Sequence, residues 1–299
     1  MSQQPITSNI KPIDWLSRYA SDYHRWRPLD DGSLVRSLGA VELAFDGDGV
    51  LFEGRADTLA QLTLEATSSI SAEELAKRVT LAWACLRTHH GLLRAKVVNG
   101  DQLPNSAGLS RTERHFVVAR PGDVSCMLEE AKHNMVFVGE QYPDVDADLF
   151  CRHLMNTSRA IDPNSSLSRL FVLPARDLGA GRSQLDFVFI VAHEITDGLT
   201  VYNQNSHFLR LLNSSIADLE SEVQHASLDP DMLLTALPPA QESLYPPLTG
   251  SIARQRWAWA ISRILRHVRT PPPASIPLFD EGKHWLQGRS ICHDSFPQY

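Results

Sequence analysis

The chain has 299 residues, of which 43% are hydrophobic and 21% are charged, and its formal net charge is -7 at pH 7. This composition is typical of a globular protein with a sizeable buried core, and the length allows one or two domains. The acidic balance argues against nucleic acid as the main partner, because nucleic-acid-binding proteins usually carry a basic excess.

The segment MSQQPITSNIKPIDW at the amino terminus has no apolar core of the kind that a signal peptide requires. No window of the sequence is long and apolar enough to predict a membrane-spanning helix. The cysteines are far apart and form no C-x-x-C pair. They are Cys85, Cys126, Cys151 and Cys292. We therefore expect reduced thiols in a cytoplasmic protein, with no disulfide framework and no zinc site.

The first predicted elements are a helix and a hairpin. Aromatic and apolar residues at helical spacing predict a short amphipathic helix over Ile13–Arg25. Val41–Phe52 contains two apolar runs on either side of Asp46-Gly47-Asp48-Gly49. Because an Asp-Gly pair between apolar runs is typical of a β-hairpin, two strands are predicted there.

A longer amphipathic helix follows. Ser71 and Glu74 have the spacing of a capping box, and the apolar stripe behind them predicts a helix over Leu75–Leu86. His89 and His90 come after this helix. We interpret them as structural, because a helix carboxyl end favours cationic histidine and no third metal ligand is close in sequence. The remaining patterns predict strands over Leu92–Val98, His115–Ala119 and Leu167–Leu173, and a helix over Val124–His133.

The most informative stretch begins with the apolar run Leu185–Ala192, which predicts a strand buried on both faces. It ends at His193-Glu194-Ile195-Thr196-Asp197-Gly198. A histidine is thereby placed at a strand-to-helix corner, where a rigid scaffold can hold a catalytic group. Chance would place about one His-x-x-x-Asp in such a chain, and requiring glycine next reduces the expectation to roughly 0.04. The apolar residues at helical spacing after the motif are Leu199, Tyr202, Leu209 and Leu212.

His193 is the main candidate catalytic residue. A neutral imidazole can take the proton of an attacking hydroxyl or amine, as a general base does. Asp197 has two possible roles, to orient the imidazole or to pair with an arginine, and Gly198 is expected to allow a turn in which a Cβ would clash. The structural alternative is a hydrogen-bonded interior histidine at a strand end. H-E-x-x-H, G-x-S-x-G and P-loop motifs are not found, and no metal site is predicted.

The segment Phe187–Gly198 resembles the active-site strand and loop of the HxxxDG acyltransferases. This superfamily includes chloramphenicol acetyltransferase, condensation domains of peptide synthetases, plant BAHD enzymes and fungal trichothecene-type O-acetyltransferases. Trp26-Arg27-Pro28-Leu29 and Gly39-Ala40-Val41-Glu42 resemble the opening of the fungal members. His90-Gly91-Leu92-Leu93-Arg94-Ala95 resembles their HPxLRA passage, with Gly91 in place of proline. The resemblance implies an α/β (α+β) fold, with a mixed β-sheet and flanking helices in a single chloramphenicol-acetyltransferase-like lobe.

The resemblance also implies an activity. An acetyl or short acyl group would pass from acyl-CoA, a co-substrate and not a bound cofactor, to a hydroxyl of a small molecule in secondary-metabolite biosynthesis. His193 would be the general base. Asp197 would pair with an arginine, for which we name Arg169 on the neighbouring strand, and Gly198 would complete the motif.

The predicted domains are an acyltransferase-like lobe over residues 1–228, an inter-lobe linker over 229–250, and a basic amphipathic helix with a short tail over 251–299. The resembling enzymes have two lobes with a substrate tunnel between them. No DFGWG-like motif of a second lobe is found, so we expect that lobe to be absent and a second copy or a partner to complete the site. Two alternatives stay open. One is a truncated, non-catalytic relative or scaffold, and the other is a lobe that binds a polyketide or terpenoid and directs a cyclisation.

Overall fold

The computed structural model describes residues 24–67, 71–104 and 109–244, with positions 250, 251, 253, 254, 256–258, 260, 261 and 264. It divides into two units, Met1–Tyr245 and Pro246–Tyr299. The first unit has an α/β fold, as predicted. Its described helices are α1 (Ala40–Leu51), α2 (Ala72–His89), α3 (Val124–His133), α4 (Ala147–Asn156), α5 (Gly198–Leu212), α6 (Ile216–Leu228) and α7 (Pro230–Ala236). Its described strands are β1 (Arg27–Pro28), β2 (Leu34–Ser37), β3 (Thr58–Ala66), β4 (Lys96–Asn99), β5 (Arg114–Val118), β6 (Met135–Phe137), β7 (Ser168–Val172), β8 (Arg176–Gly179) and β9 (Arg182–Val191).

The strands form two sheets. One sheet is antiparallel, with strand order β1-β2-β5-β4. The other is mixed, with order β3-β9-β7-β6 and with β8 also paired to β9. In this mixed sheet β6 and β7 are parallel, whereas β9 is antiparallel to β3, β7 and β8. The long strand β9 therefore lies between neighbours on both sides, and it leads directly to the His193 motif.

Strand β9 is buried on both faces from Leu185 to Val191, as the sequence predicts. Phe208 of α5 covers one face, with its ring centroid 5.4 Å from that of Phe187 and 5.2 Å from that of Phe189. Phe171 lies opposite Val188 in the register and so faces the other side, where Phe150 of α4 contacts it at 5.3 Å. Each fully buried side chain of this size contributes about 1.5–3 kcal/mol. This packing fixes the position of the strand end.

The hairpin predicted over Val41–Phe52 is wrong, because this segment is helix α1. The Gly39 amide and the Glu42 carboxylate, 2.6 Å apart, cap its first turn. Asp46 lies inside the helix, where its carboxylate accepts two hydrogen bonds from Arg114 at 2.7 and 2.8 Å. Tertiary pairing therefore overrides the turn preference of the two Asp-Gly pairs.

Most of the other elements agree with the sequence patterns. The helices over Leu75–Leu86 and Val124–His133 are confirmed as α2 and α3, and the Ser71 hydroxyl accepts from the Glu74 amide at 3.1 Å. The strand predicted over Leu92–Val98 begins only at Lys96, after a 3-10 turn. The sequence patterns did not predict β1, β2, β3, β6, α4 or α6. Most of the helix predicted over Ile13–Arg25 lies outside the described residues.

The range predicted as a linker contains α7 and a 3-10 turn, Gln241–Leu244. Its residues up to Tyr245 belong to the first unit, and the Trp26 indole donates to the carbonyl of Pro238 at 2.9 Å. In the second unit the described positions between 253 and 264 are helical, and the Ser251 hydroxyl accepts from the Arg254 amide at 3.3 Å. Among the helices that the structure describes, none has the length and hydropathy that crossing a membrane requires.

Candidate active site

The His193 motif forms a strand–turn–helix corner, as the sequence predicts. Strand β9 ends at Val191, a 3-10 turn covers His193–Ile195, and α5 begins at Gly198. The Ile195 amide donates to the carbonyl of Ala192 at 3.1 Å, and the Thr196 amide donates to the carbonyl of His193 at 3.4 Å. The turn therefore follows the end of β9 directly, and it places His193 at the end of the buried strand.

The imidazole of His193 is held by two contacts. Its Nδ1 lies 2.9 Å from the carbonyl oxygen of Thr196. A carbonyl oxygen only accepts hydrogen bonds, so Nδ1 carries the hydrogen, and Nε2 of the neutral ring has a free lone pair. The ring stacks on Phe45 of α1, with centroids 3.9 Å apart and planes 18° apart. The half-buried imidazole therefore has the tautomer that a general base at Nε2 requires.

Asp197 is exposed and caps α5. Its Oδ1 accepts a hydrogen bond from the Thr200 amide at 2.7 Å. The carboxyl pKa is lowered, first by the Thr200 side chain and second by this amide hydrogen bond. Within the described ranges no arginine forms an ion pair with Asp197. The predicted partner Arg169 lies on β7, where burial lowers the pKa of its guanidinium and Asp162 opposes this shift. The predicted Arg169–Asp197 pair is therefore wrong.

Gly198 is the first residue of α5 and is exposed. A Cβ added there would meet no atom within 4 Å, and φ of Gly198 is not positive. The clash that we gave as the reason for glycine is therefore not present. The glycine leaves the helix amino terminus uncovered beside the motif.

The structure brings a buried ionic cluster to the turn, which the sequence reasoning missed. Glu194 is 5% exposed, and its Oε2 lies 3.7 Å from Nη2 of Arg159. Arg159 in turn donates two hydrogen bonds to Asp57, each of 2.7 Å. Burial raises the pKa of the Glu194 carboxyl to about 7. No spacing rule connects Arg159 or Asp57 to the motif, since both lie in loops and the nearer one, Arg159, is 34 positions before His193.

Helix α5 packs through residues other than those singled out from the sequence. Leu199 and Tyr202 are 71% and 75% exposed. The buried positions are instead Val201, Gln204, Phe208 and Leu211. The first two turns of α5 thus present apolar surface near the motif, which is consistent with a role in binding an apolar group.

A second group of histidines, His89, His90 and His207, lies where the carboxyl end of α2 meets α5. His90 Nε2 is 3.3 Å from His207 Nδ1, and His89 Nε2 is 2.5 Å from a carboxylate oxygen of Glu222. Burial lowers the pKa of His207 to about 4. In the part of the chain that the structure describes, no group of three or more His, Cys, Asp or Glu residues is arranged to hold a metal ion. The contacts of His89 and His90 are those of packed, hydrogen-bonded side chains.

No family model and no curated protein matches the sequence. Among solved structures, the chain is similar to a trichothecene 15-O-acetyltransferase from Fusarium sporotrichioides, with 17% identity and a TM-score of 0.49 over 64% of this chain and 38% of that one. It is similar to a chloramphenicol acetyltransferase, with 12% identity and a TM-score of 0.31 over 60% of this chain and 98% of that one. A third structure is the condensation domain of the monacolin K polyketide synthase MokA, with 14% identity and a TM-score of 0.37 over 81% of this chain and 44% of that one.

By their names, these three structures are two acetyltransferases and a condensation domain. The chain spans 38% of the length of the trichothecene acetyltransferase and 44% of the condensation domain. Identities of 12–17% and TM-scores below 0.5 establish neither a family nor a function for this chain.

Proposed function

We propose that this chain carries the catalytic histidine of a CoA-dependent O-acyltransferase. Its substrates are an acetyl-CoA or short acyl-CoA donor and a small-molecule alcohol, and its place is in secondary-metabolite biosynthesis. The proposal rests on one observation above all, the hydrogen bond from His193 Nδ1 to the carbonyl of Thr196. This bond leaves the lone pair of Nε2 free for a proton.

In the proposed reaction Nε2 of His193 accepts the proton of the acceptor hydroxyl as its oxygen attacks the thioester carbonyl carbon. The tetrahedral intermediate then collapses, and the carbon–sulfur bond breaks. The proton passes from the imidazolium to the departing sulfur. The products are an ester and free CoA, and His193 returns to its neutral form.

Two features of the surroundings support this role. The stack on Phe45 limits rotation of the imidazole, so the lone pair of Nε2 keeps one direction. The exposed side chains of Leu199 and Tyr202 offer apolar contacts to a substrate on the helix that follows the motif. The motif and its resemblance to the HxxxDG enzymes supply the reaction type.

The first test is a thermal melt of the full chain with and without acetyl-CoA. A ligand that binds only the native state, at about 100 times its Kd, adds roughly 2.7 kcal/mol of stability, which raises Tm by several degrees. A clear shift supports the acyltransferase. A cooperative melt with no shift would favour a scaffold or a cyclisation that needs no acyl donor.

His193→Ala separates these outcomes further, with His133→Ala as the control, because His133 is an exposed histidine on α3. A panel of small alcohols is incubated with acetyl-CoA, and the esters are detected by mass spectrometry. We expect transfer in the wild type and in His133→Ala, and its loss in His193→Ala. Equal transfer in all three proteins would refute the role of His193.

A further inference from the structure

We propose that Glu194, Arg159 and Asp57 position the turn that carries His193, in place of the Asp197–arginine pair that the resemblance implies. These three side chains, which we call the relay, connect the turn to the rest of the first unit through the Glu194–Arg159 and Arg159–Asp57 contacts. The expected effect on acyl transfer rests on the proposed function of His193. The expected effect on hydrogen exchange of the turn does not.

Arg159 is the fixed member of the relay. Its Nε and Nη2 donate to the two carboxylate oxygens of Asp57, and its side chain is only 10% exposed. Two glycines, Gly49 and Gly54, leave the space that the Arg159 side chain occupies. A Cβ on Gly49 would lie 2.7 Å from Nη2, and a Cβ on Gly54 would overlap Cγ of Arg159 and lie 2.6 Å from the Asp57 carboxylate. A two-point contact in a fitted space gives the guanidinium a defined position.

Glu194 connects the turn to Arg159. Its side chain is fully buried, and neither carboxyl oxygen has a hydrogen-bond partner within 3.5 Å among the described residues. Burying an unpaired carboxyl costs free energy, so this residue is not explained by packing alone. Nη2 of Arg159 lies 3.7 Å from Oε2 of Glu194 and contacts the carboxyl in both protonation states, as a charge–dipole contact when it is protonated and as an ion pair when it is ionised.

The charges around Glu194 make this contact depend on pH. Asp46 on α1 is neutralised by Arg114 on β5, and Asp57 is neutralised by Arg159, so the Glu194 carboxyl is the third acid beside two guanidiniums. Burial is the main cause that raises its pKa to about 7, and Asp46 and Asp57 add to the shift. Because burial disfavours the ionised carboxyl more than Arg159 favours it, Glu194 stabilises the folded state while it is protonated. The turn should therefore loosen as pH rises through about 7.

The test compares Arg159→Gln with Arg87→Gln. Arg87 is also a buried arginine, 2% exposed and paired with Glu130 at 2.7 Å, but it lies on α2. Hydrogen exchange of the peptide over 192–198 is measured by mass spectrometry, with acyl transfer measured in parallel. We expect faster exchange of this peptide and a kcat about ten- to a hundredfold lower, with little change in KM, for Arg159→Gln only. Exchange that changes equally in both variants, or in neither, overturns the proposal.

Two further variants keep the test informative if Arg159→Gln does not fold. Gly49→Ala leaves every charge in place and displaces the guanidinium, so it should also accelerate exchange of the 192–198 peptide. Glu194→Gln is compared with the wild type at each pH, which cancels the intrinsic pH dependence of exchange. The wild-type peptide should exchange faster than that of Glu194→Gln above pH 7, and equal exchange at all pH values contradicts the proposal. If His193→Ala retains acyl transfer, the proposed function fails while these exchange results still decide the relay.

Discussion

Replacing Asp197 tests whether it acts as a helix cap or as the partner of an arginine. In the structure it is exposed, and its main contact is the 2.7 Å hydrogen bond from the Thr200 amide. Asp197→Ala removes this cap, which costs about 1 kcal/mol, within a range of 0.5–2. It also removes a negative charge from a helix amino terminus, which is worth about 0.3–1 kcal/mol. Asp197→Asn keeps the cap and loses only the second contribution.

We therefore expect the free energy of unfolding to fall by about 1–2 kcal/mol in Asp197→Ala and by less than about 1 kcal/mol in Asp197→Asn. Urea unfolding followed by circular dichroism measures both. The difference also depends on pH. Because the Thr200 hydrogen bond lowers the pKa of this carboxyl, its contribution is present above pH 3.8 and is lost as pH falls through the lower folded-state pKa. Equal losses in the two variants at neutral pH would refute the cap and restore the arginine pairing.

Three more predictions concern Phe45, Gly198 and His207. Phe45→Leu removes the ring that stacks on His193. Because such pairs are worth about 0.5–1.5 kcal/mol, the free energy of unfolding should fall by about 1 kcal/mol and acyl transfer should slow. Unchanged kinetics would show that the stack does not position the base. Gly198→Ala should not destabilise the protein, because its Cβ meets open space and alanine favours a helix by up to about 1 kcal/mol; a lower Tm contradicts this. The pKa of His207 is lowered from 6.5 to about 4, so the free energy of unfolding should fall as pH drops from 6.5 to 4. In urea titrations His207→Gln should reduce this dependence on pH. An identical dependence in the variant would contradict the lowered pKa of His207.

The sequence predicted the corner that carries His193 because local signals agree there. The apolar run of β9 is long, the motif interrupts it sharply, and helical spacing follows. Helices α2 and α3 were predicted for the same reason, since their caps and apolar stripes are local. The α/β class was implied by the resemblance of the motif and its flanking segments to the HxxxDG acyltransferases. Each of these signals is contained in a window of about a dozen residues.

The sequence did not predict the features that depend on distant pairing. Helix α1 contains two Asp-Gly pairs and was read as a hairpin, whereas Asp46 is held in the helix by Arg114, 68 residues away. The relay of Asp57, Arg159 and Glu194 joins two loops to the 3-10 turn of the motif and has no characteristic spacing. The assignment of Asp197 followed the resemblance, and its exposure could be known only from the structure.

The rate of acetyl transfer by His193→Ala, relative to the wild type at equal folded fraction, tests the central claim most directly. General base catalysis contributes about 10²–10⁴-fold, so we predict a fall in kcat of that size, with His133→Ala unchanged. Binding of acetyl-CoA should persist in His193→Ala, because the imidazole acts on the acceptor proton. A His193→Ala protein that transfers acetyl within about threefold of the wild-type rate, far below the general-base contribution, would contradict the assignment of His193 as the catalytic base.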